Sequence, residues 1–118
     1  MKIYVCHALF FDFQKELYEP LKEIVGHEFV FPHDGGSDAH SKDVIASCDL
    51  VIAEASFPST GMGIELGWAD AAGIPVYCVH RGDTKPSLAL RHTAKSIVAY
   101  GDAEDLIVKL NEMLKSIA

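Results

Sequence analysis

Apolar runs of strand length alternate with longer stretches of helical period along the chain. KIYVCH, residues 2–7, is the first run and predicts a strand. Leu17, Leu21 and Ile24 follow at helical spacing and predict a helix ending at Gly26. EFVF at 28–31 predicts a short strand, and PHDGGSDAH at 32–40 a loop of turn formers. A short helix is expected over 41–47. DLVIAEA, 49–55, is apolar on both faces, as a strand inside a parallel sheet must be. After the loop FPSTG, residues 61–73 predict a helix closed by Gly73, and IPVYCVH, 74–80, a further strand. RGDTKPS reads as a loop, 87–94 as a short helix and SIVAY, 96–100, as a fifth strand. Leu106, Leu110, Met113 and Leu114 form one apolar stripe on a last helix over 102–116.

Five strands alternating with helices predict an α/β fold, a three-layer sandwich whose five-stranded parallel sheet has flavodoxin-like (Rossmann-like) order. Ligands of such sheets bind beyond the carboxyl ends of the strands. Loops 7–12, 32–40 and 55–61 fall there, joined by 80–87. A length of 118 residues with 49% apolar content fits a single domain over 1–118. No apolar run approaches the ~20 residues that span a bilayer. Residues 2–7 read as a strand rather than part of a leader, so a cytoplasmic protein without a membrane partner is expected. Cys6, Cys48 and Cys78 are odd in number and widely spaced, which suits buried free thiols rather than disulfides or zinc ligands.

A net charge of −7 argues against a nucleic-acid polymer as partner, since phosphate backbones call for a basic face. Arg81, Lys85, Arg91 and Lys95 nevertheless form a basic island. It suits an anionic small ligand or a second subunit's acidic face as well as it suits a solvated surface. The mean hydropathy of +0.15 is high for an acidic chain. The 61–73 helix offers a place for the excess. Ile64, Leu66, Trp68, Ala69, Ala71 and Ala72 make it apolar nearly all round, which predicts burial on more than one side and a homodimer or higher homo-oligomer.

The candidate chemistry centres on FPSTGMGIELGWADAAG, 57–73. Gly61 and Gly63 lie at a helix start, where free backbone N–H groups can receive an anion. Their spacing is GxGxxxG, not the dinucleotide pattern GxGxxG. Glu65 falls in the first turns, where the helix dipole favours its ionised form. By position alone it is either a nucleophile or an exposed helix-start acid. Asp43 is a second carboxylate ahead of DLVIAEA; it could pair with Glu65, as glycoside chemistry requires, or simply charge a helix start. Tyr4 reads as strand core by pattern, and Glu54, in an apolar strand, needs a partner. His33, Asp34, Asp38 and His40 gather in a Gly-Gly loop and read as solvated turn residues; no metal and no organic cofactor are expected.

Three segments together resemble the nucleoside 2-deoxyribosyltransferase superfamily, which includes the 2'-deoxynucleoside 5'-phosphate N-hydrolases: KIYVCHALF, DVIASCDLVIAEAS and PSTGMGIELGWADAAGIPV. The resemblance runs from residue 2 to about 91. It implies Glu65, in GxxxELGxA, as nucleophile, Asp43 as the aspartate ahead of the strand, and Tyr4 as the first-strand tyrosine. Ser59, six residues before Glu65, matches the hydrolase branch, where a serine suits a phosphate; the transferases carry an aspartate suited to a 5'-hydroxyl. Ser87 resembles the hydrolase serine that reaches the phosphate from the neighbouring subunit. The first loop, CHALFFDF, instead resembles the transferases and lacks the hydrolases' glycine-rich segment and arginine; either His7 and Asp12 replace the lost contacts or the substrate is not a phosphate ester. The expected function is cleavage of the N-glycosidic bond of a 2'-deoxynucleoside 5'-phosphate through a glycosyl-glutamate intermediate. The alternatives are a deoxyribosyltransferase between nucleobases and a non-catalytic nucleotide-binding domain.

Overall fold

A computed structural model describes residues 1–34 and 41–117. Its elements run β1 Lys2–His7, α1 Glu19–Lys22 entered through a π turn Gln14–Tyr18, β2 Glu28–Val30, α2 Ser41–Ala46 and β3 Leu50–Glu54. They continue with α3 Thr60–Ala71, β4 Val76–Arg81, a 3-10 turn Leu88–His92, β5 Ala94–Tyr100 and α4 Ala103–Ile117. The five strands are all parallel in the order β2-β1-β3-β4-β5, as the alternation of elements implied. Among the described residues no helix is long and apolar enough to cross a membrane.

Strand alternation sorts the core into two layers. Ile3 and Val5 of β1, with Leu50 and Ile52 of β3, pack against Leu17, Leu21, Leu106 and Leu110. Tyr4 and Cys6, with Val51 and Ala53, face Ile45, Met62, Leu66 and Ala69 of α2 and α3. Each strand of the sheet centre is therefore apolar on both sides. The first helix departs from the regular period for a local reason. Pro20 has no N–H to give and would clash with the carbonyl one turn back, and the wider π turn precedes it. Gly73, at φ +73°, closes α3 in the left-handed conformation that glycine accepts most readily. Strand β4 begins at Val76, two residues later than the apolar run, because Pro75 cannot donate to a ladder.

The outer side of α3 does not meet the core. Gly63, Gly67, Asp70 and Ala71 are exposed, and Ile64 is 49% exposed, so within one subunit the helix is buried on one side only.

Candidate active site

A cavity of about 560 Å³ lies on the α2–α3 side of β1. Tyr4 and His7 come from β1, Phe31 and His33 from the segment after β2, Ser41 and Val44 from α2, and Ser59, Glu65 and Trp68 from the start and middle of α3. Phe10, Phe31 and Trp68 give it flat apolar walls, and Glu65 is the one carboxylate among its described lining residues.

Tyr4 and Glu65, 61 residues apart in sequence, meet there: the Tyr4 hydroxyl donates to Glu65 Oε2. Cys6, on the same side of β1, places its Sγ 3.6 Å from Oε1. Burial, reinforced by the hydrogen bond to Glu65, holds the Tyr4 hydroxyl well above the usual phenol range, so it stays a proton donor. Ser41, which lines the same cavity, acts on Tyr4 in the opposite direction and lowers its pKa.

Ser59 caps α3 by accepting from the Met62 N–H at 3.3 Å, which leaves its own proton free for a ligand. It stands, with Phe10, Gly61 and Met62, on the boundary between this cavity and an adjoining groove of about 910 Å³. Gly63, Lys85 and Ser87 line that groove and not the Glu65 cavity. Neither Gly61 nor Gly63 has a positive φ, so their contribution is small size rather than special conformation.

Asp43 lines neither cavity and is exposed to solvent. At 100° per residue it lies about 200° around α2 from Ser41, and Ser41 and Val44 are the α2 residues that face the cavity. The structure therefore does not bring the two carboxylates together. In the loop cluster, His33 lines the cavity and Asp34 pairs with Lys22 at 3.0 Å, while Asp38 and His40 lie outside the described residues. Among the described residues no group of three His, Cys, Asp or Glu converges as metal ligands would.

His7 is 4% exposed and has both ring nitrogens engaged. Nδ1 donates to the Ala8 carbonyl at 2.7 Å, which fixes the tautomer, and Nε2 accepts from the Tyr18 hydroxyl at 2.5 Å. It thus shapes the wall without a free polar atom for a substrate. Burial pushes His7 below its ordinary 6.5. The unfolded chain then binds a proton that the folded chain resists, so stability is full above about pH 6.5 and falls as the pH drops below it. Urea midpoints are expected to fall more steeply on acidification in the wild type than in His7→Gln. Equal slopes would contradict this.

The basic island is partly spent internally. Arg81 pairs with Glu16 at 2.8 Å and lies over Phe11 and Phe57, at 5.6 and 5.3 Å from their centroids. Beside it, Glu54 is 1% exposed and receives Tyr100 Oη–H, the Ser56 N–H at 2.7 Å and the Ser56 hydroxyl at 2.9 Å. The Arg81 N–H in turn donates to Ser56 Oγ at 2.9 Å. This network holds the start of the 55–59 segment against β4 and β5.

No family model matches the chain. It is 33% identical over 79 residues to a protein of Methanococcoides burtonii named "Putative 2'-deoxynucleoside 5'-phosphate N-hydrolase 1". The match takes in 55% of this chain and 65% of that protein's length. The fold is that of the Clostridium botulinum CMP N-glycosidase BcmB, with a TM-score of 0.66 over 94% of this chain and 99% of that one, at 20% identity. The curated relative supports the resemblance to the nucleoside 2-deoxyribosyltransferase-like superfamily. At 20% identity the solved structure speaks to the fold alone. The matched sequence of the curated relative bears on the rest.

Cys6, Ser41 and Trp68 belong to the site and were not among the sequence candidates. Cys6 was legible in principle: two residues from Tyr4 on one strand, it must share the tyrosine's face. Trp68 was legible too, three residues from Glu65 on one helix.

Proposed function

We propose that this chain is an N-glycosidase of nucleotides that cleaves the bond between base and sugar in a 2'-deoxynucleoside 5'-phosphate. The observation that carries the reading is the Glu65 carboxylate, held by Tyr4 in a cavity with aromatic walls. A planar base suits those walls, and C1' would lie against Glu65. A carboxylate oxygen gives an electron pair to C1' as the C1'–N bond breaks and its pair leaves with the base, which takes up a proton. Water then attacks C1' of the glycosyl ester, releasing deoxyribose 5-phosphate and the free carboxylate. Because Asp43 is turned to solvent, this reading gives it no place at the reacting centre. The Ser59 hydroxyl and the Gly61 backbone, on the boundary with the groove of Lys85 and Ser87, suit the 5'-phosphate. The exposed side of α3 suits a second copy of the chain, so a homodimer belongs to the same reading.

One observation favours a transferase. The first loop places Leu9 and Phe10 on the cavity, an apolar lip that suits a second base better than water. A single experiment separates the readings. Purified protein is incubated with each deoxynucleoside 5'-phosphate, with and without a second free base, and the products are resolved by chromatography. Free base and sugar phosphate are expected. A new nucleotide would assign the transferase, and tight binding without turnover would leave a nucleotide-binding domain.

A further inference from the structure

Tyr4 and Cys6 between them address both oxygens of Glu65, and they do so unequally. The Tyr4 hydroxyl donates to Oε2, a strong bond between a good donor and a carboxylate. Cys6 reaches Oε1 only through an S–H at 3.6 Å, a weak donor. That thiol has a second acceptor, the Met62 carbonyl at 3.8 Å. Met62 precedes Glu65 by three residues on α3, so both acceptors ride on one helix. Cys6 is fully buried, and burial pushes its thiol up, so it keeps its proton and serves as donor only. One proton faces two acceptors, and turning from the carboxylate to the carbonyl leaves the thiol partnered.

We propose that Cys6 is a positioning residue that makes Oε1 the attacking oxygen of Glu65. The proposal rests on the reading of Glu65 as nucleophile. Oε2, bound by Tyr4, becomes the carbonyl oxygen of the glycosyl ester and keeps its hydrogen bond. Oε1 gives its electron pair to C1' while the C1'–N pair leaves with the base. As Oε1 loses its charge, the Cys6 S–H turns to the Met62 carbonyl, and no proton leaves the sulfur. Without that donor the carboxylate is tied at one oxygen only and is free to tilt out of the line of attack.

The contact and its consequence can be measured apart. The S–H stretching band of Cys6 is isolated as the infrared difference between wild type and Cys6→Ala. In Glu65→Ala it is expected to move to higher frequency, because only the neutral carbonyl is left as acceptor. In kinetics, Cys6→Ala is expected to lower kcat about two- to tenfold, the range of one modest hydrogen bond, with KM nearly unchanged. Cys6→Val refills the volume without a donor and is expected to show the same kcat loss, which separates the missing donor from a packing defect. A band that ignores Glu65→Ala overturns the proposal. A band that shifts while both Cys6 variants keep wild-type kcat leaves the contact standing and overturns its role. A band that shifts in a protein whose Glu65→Ala variant turns over at the wild-type rate overturns the nucleophile reading, and the proposal with it.

Discussion

Glu65→Ala is expected to lower kcat for base release by about 10³-fold or more, roughly 4 kcal/mol of transition-state stabilisation. KM for the nucleotide should change little, because the aromatic walls and the Ser59 hydroxyl remain in place. The size of the effect follows from what the side chain would do. It offers a fixed anion to the carbon where positive charge develops, and it carries the sugar between the two half-reactions. No other carboxylate among the described lining residues can substitute, since Asp43 is turned to solvent. The space left by the shortened side chain lies beside Tyr4, where a small anion such as azide can enter. Added azide is expected to restore turnover in the alanine variant and yield a glycosyl azide, detectable by mass spectrometry. A variant as active as the wild type would remove Glu65 from the chemistry.

Glu54→Ala is expected to destabilise the fold by roughly 3–5 kcal/mol, without touching the reacting atoms. The carboxylate takes up three donors inside the protein: the Tyr100 hydroxyl, the Ser56 N–H and the Ser56 hydroxyl. Removing it strands all three where water does not reach, at about 1–3 kcal/mol for each that finds no other partner. Against a domain stability of about 5–15 kcal/mol the loss is a large share. Urea unfolding gives the difference directly. Tyr100→Phe, which removes one donor and leaves the carboxylate its bonds to Ser56, should cost less, about 1.5–3 kcal/mol. A loss under about 1 kcal/mol in Glu54→Ala would mean that the network has other partners within reach.

The two residues differ in how far they can be read without the fold. By position alone Glu65 is a nucleophile or an exposed helix-start acid, and it is the family resemblance of GxxxELGxA that singles it out. Glu54 announces only a need: a charge in a wholly apolar strand must be compensated, but its partner Tyr100 lies 46 residues away on β5. Arg81 is the opposite case. Its neighbours in sequence left a ligand, a partner's acidic face and solvent equally open, and its neighbours in space include Glu16, Phe11 and Phe57. His7 likewise looked available and is engaged through both nitrogens. For Asp43 the difficulty was angular. A step of two residues along a helix is a small change in sequence spacing, yet it turns a side chain from cavity to solvent.

The order and type of the elements were readable from the chain itself. Run length, period and the turn residues between runs are local properties. Two-sided apolarity in DLVIAEA and four clear strand runs around it leave a parallel, helix-covered sheet as the way to bury them. What lay beyond reach was which polar atoms meet. Tyr4 finds Glu65, Tyr100 finds Glu54 and Tyr18 finds His7 only after the strands pair and the helices settle on a particular face. Those meetings depend on angles about a helix and on separations of up to 61 residues, which no local pattern encodes.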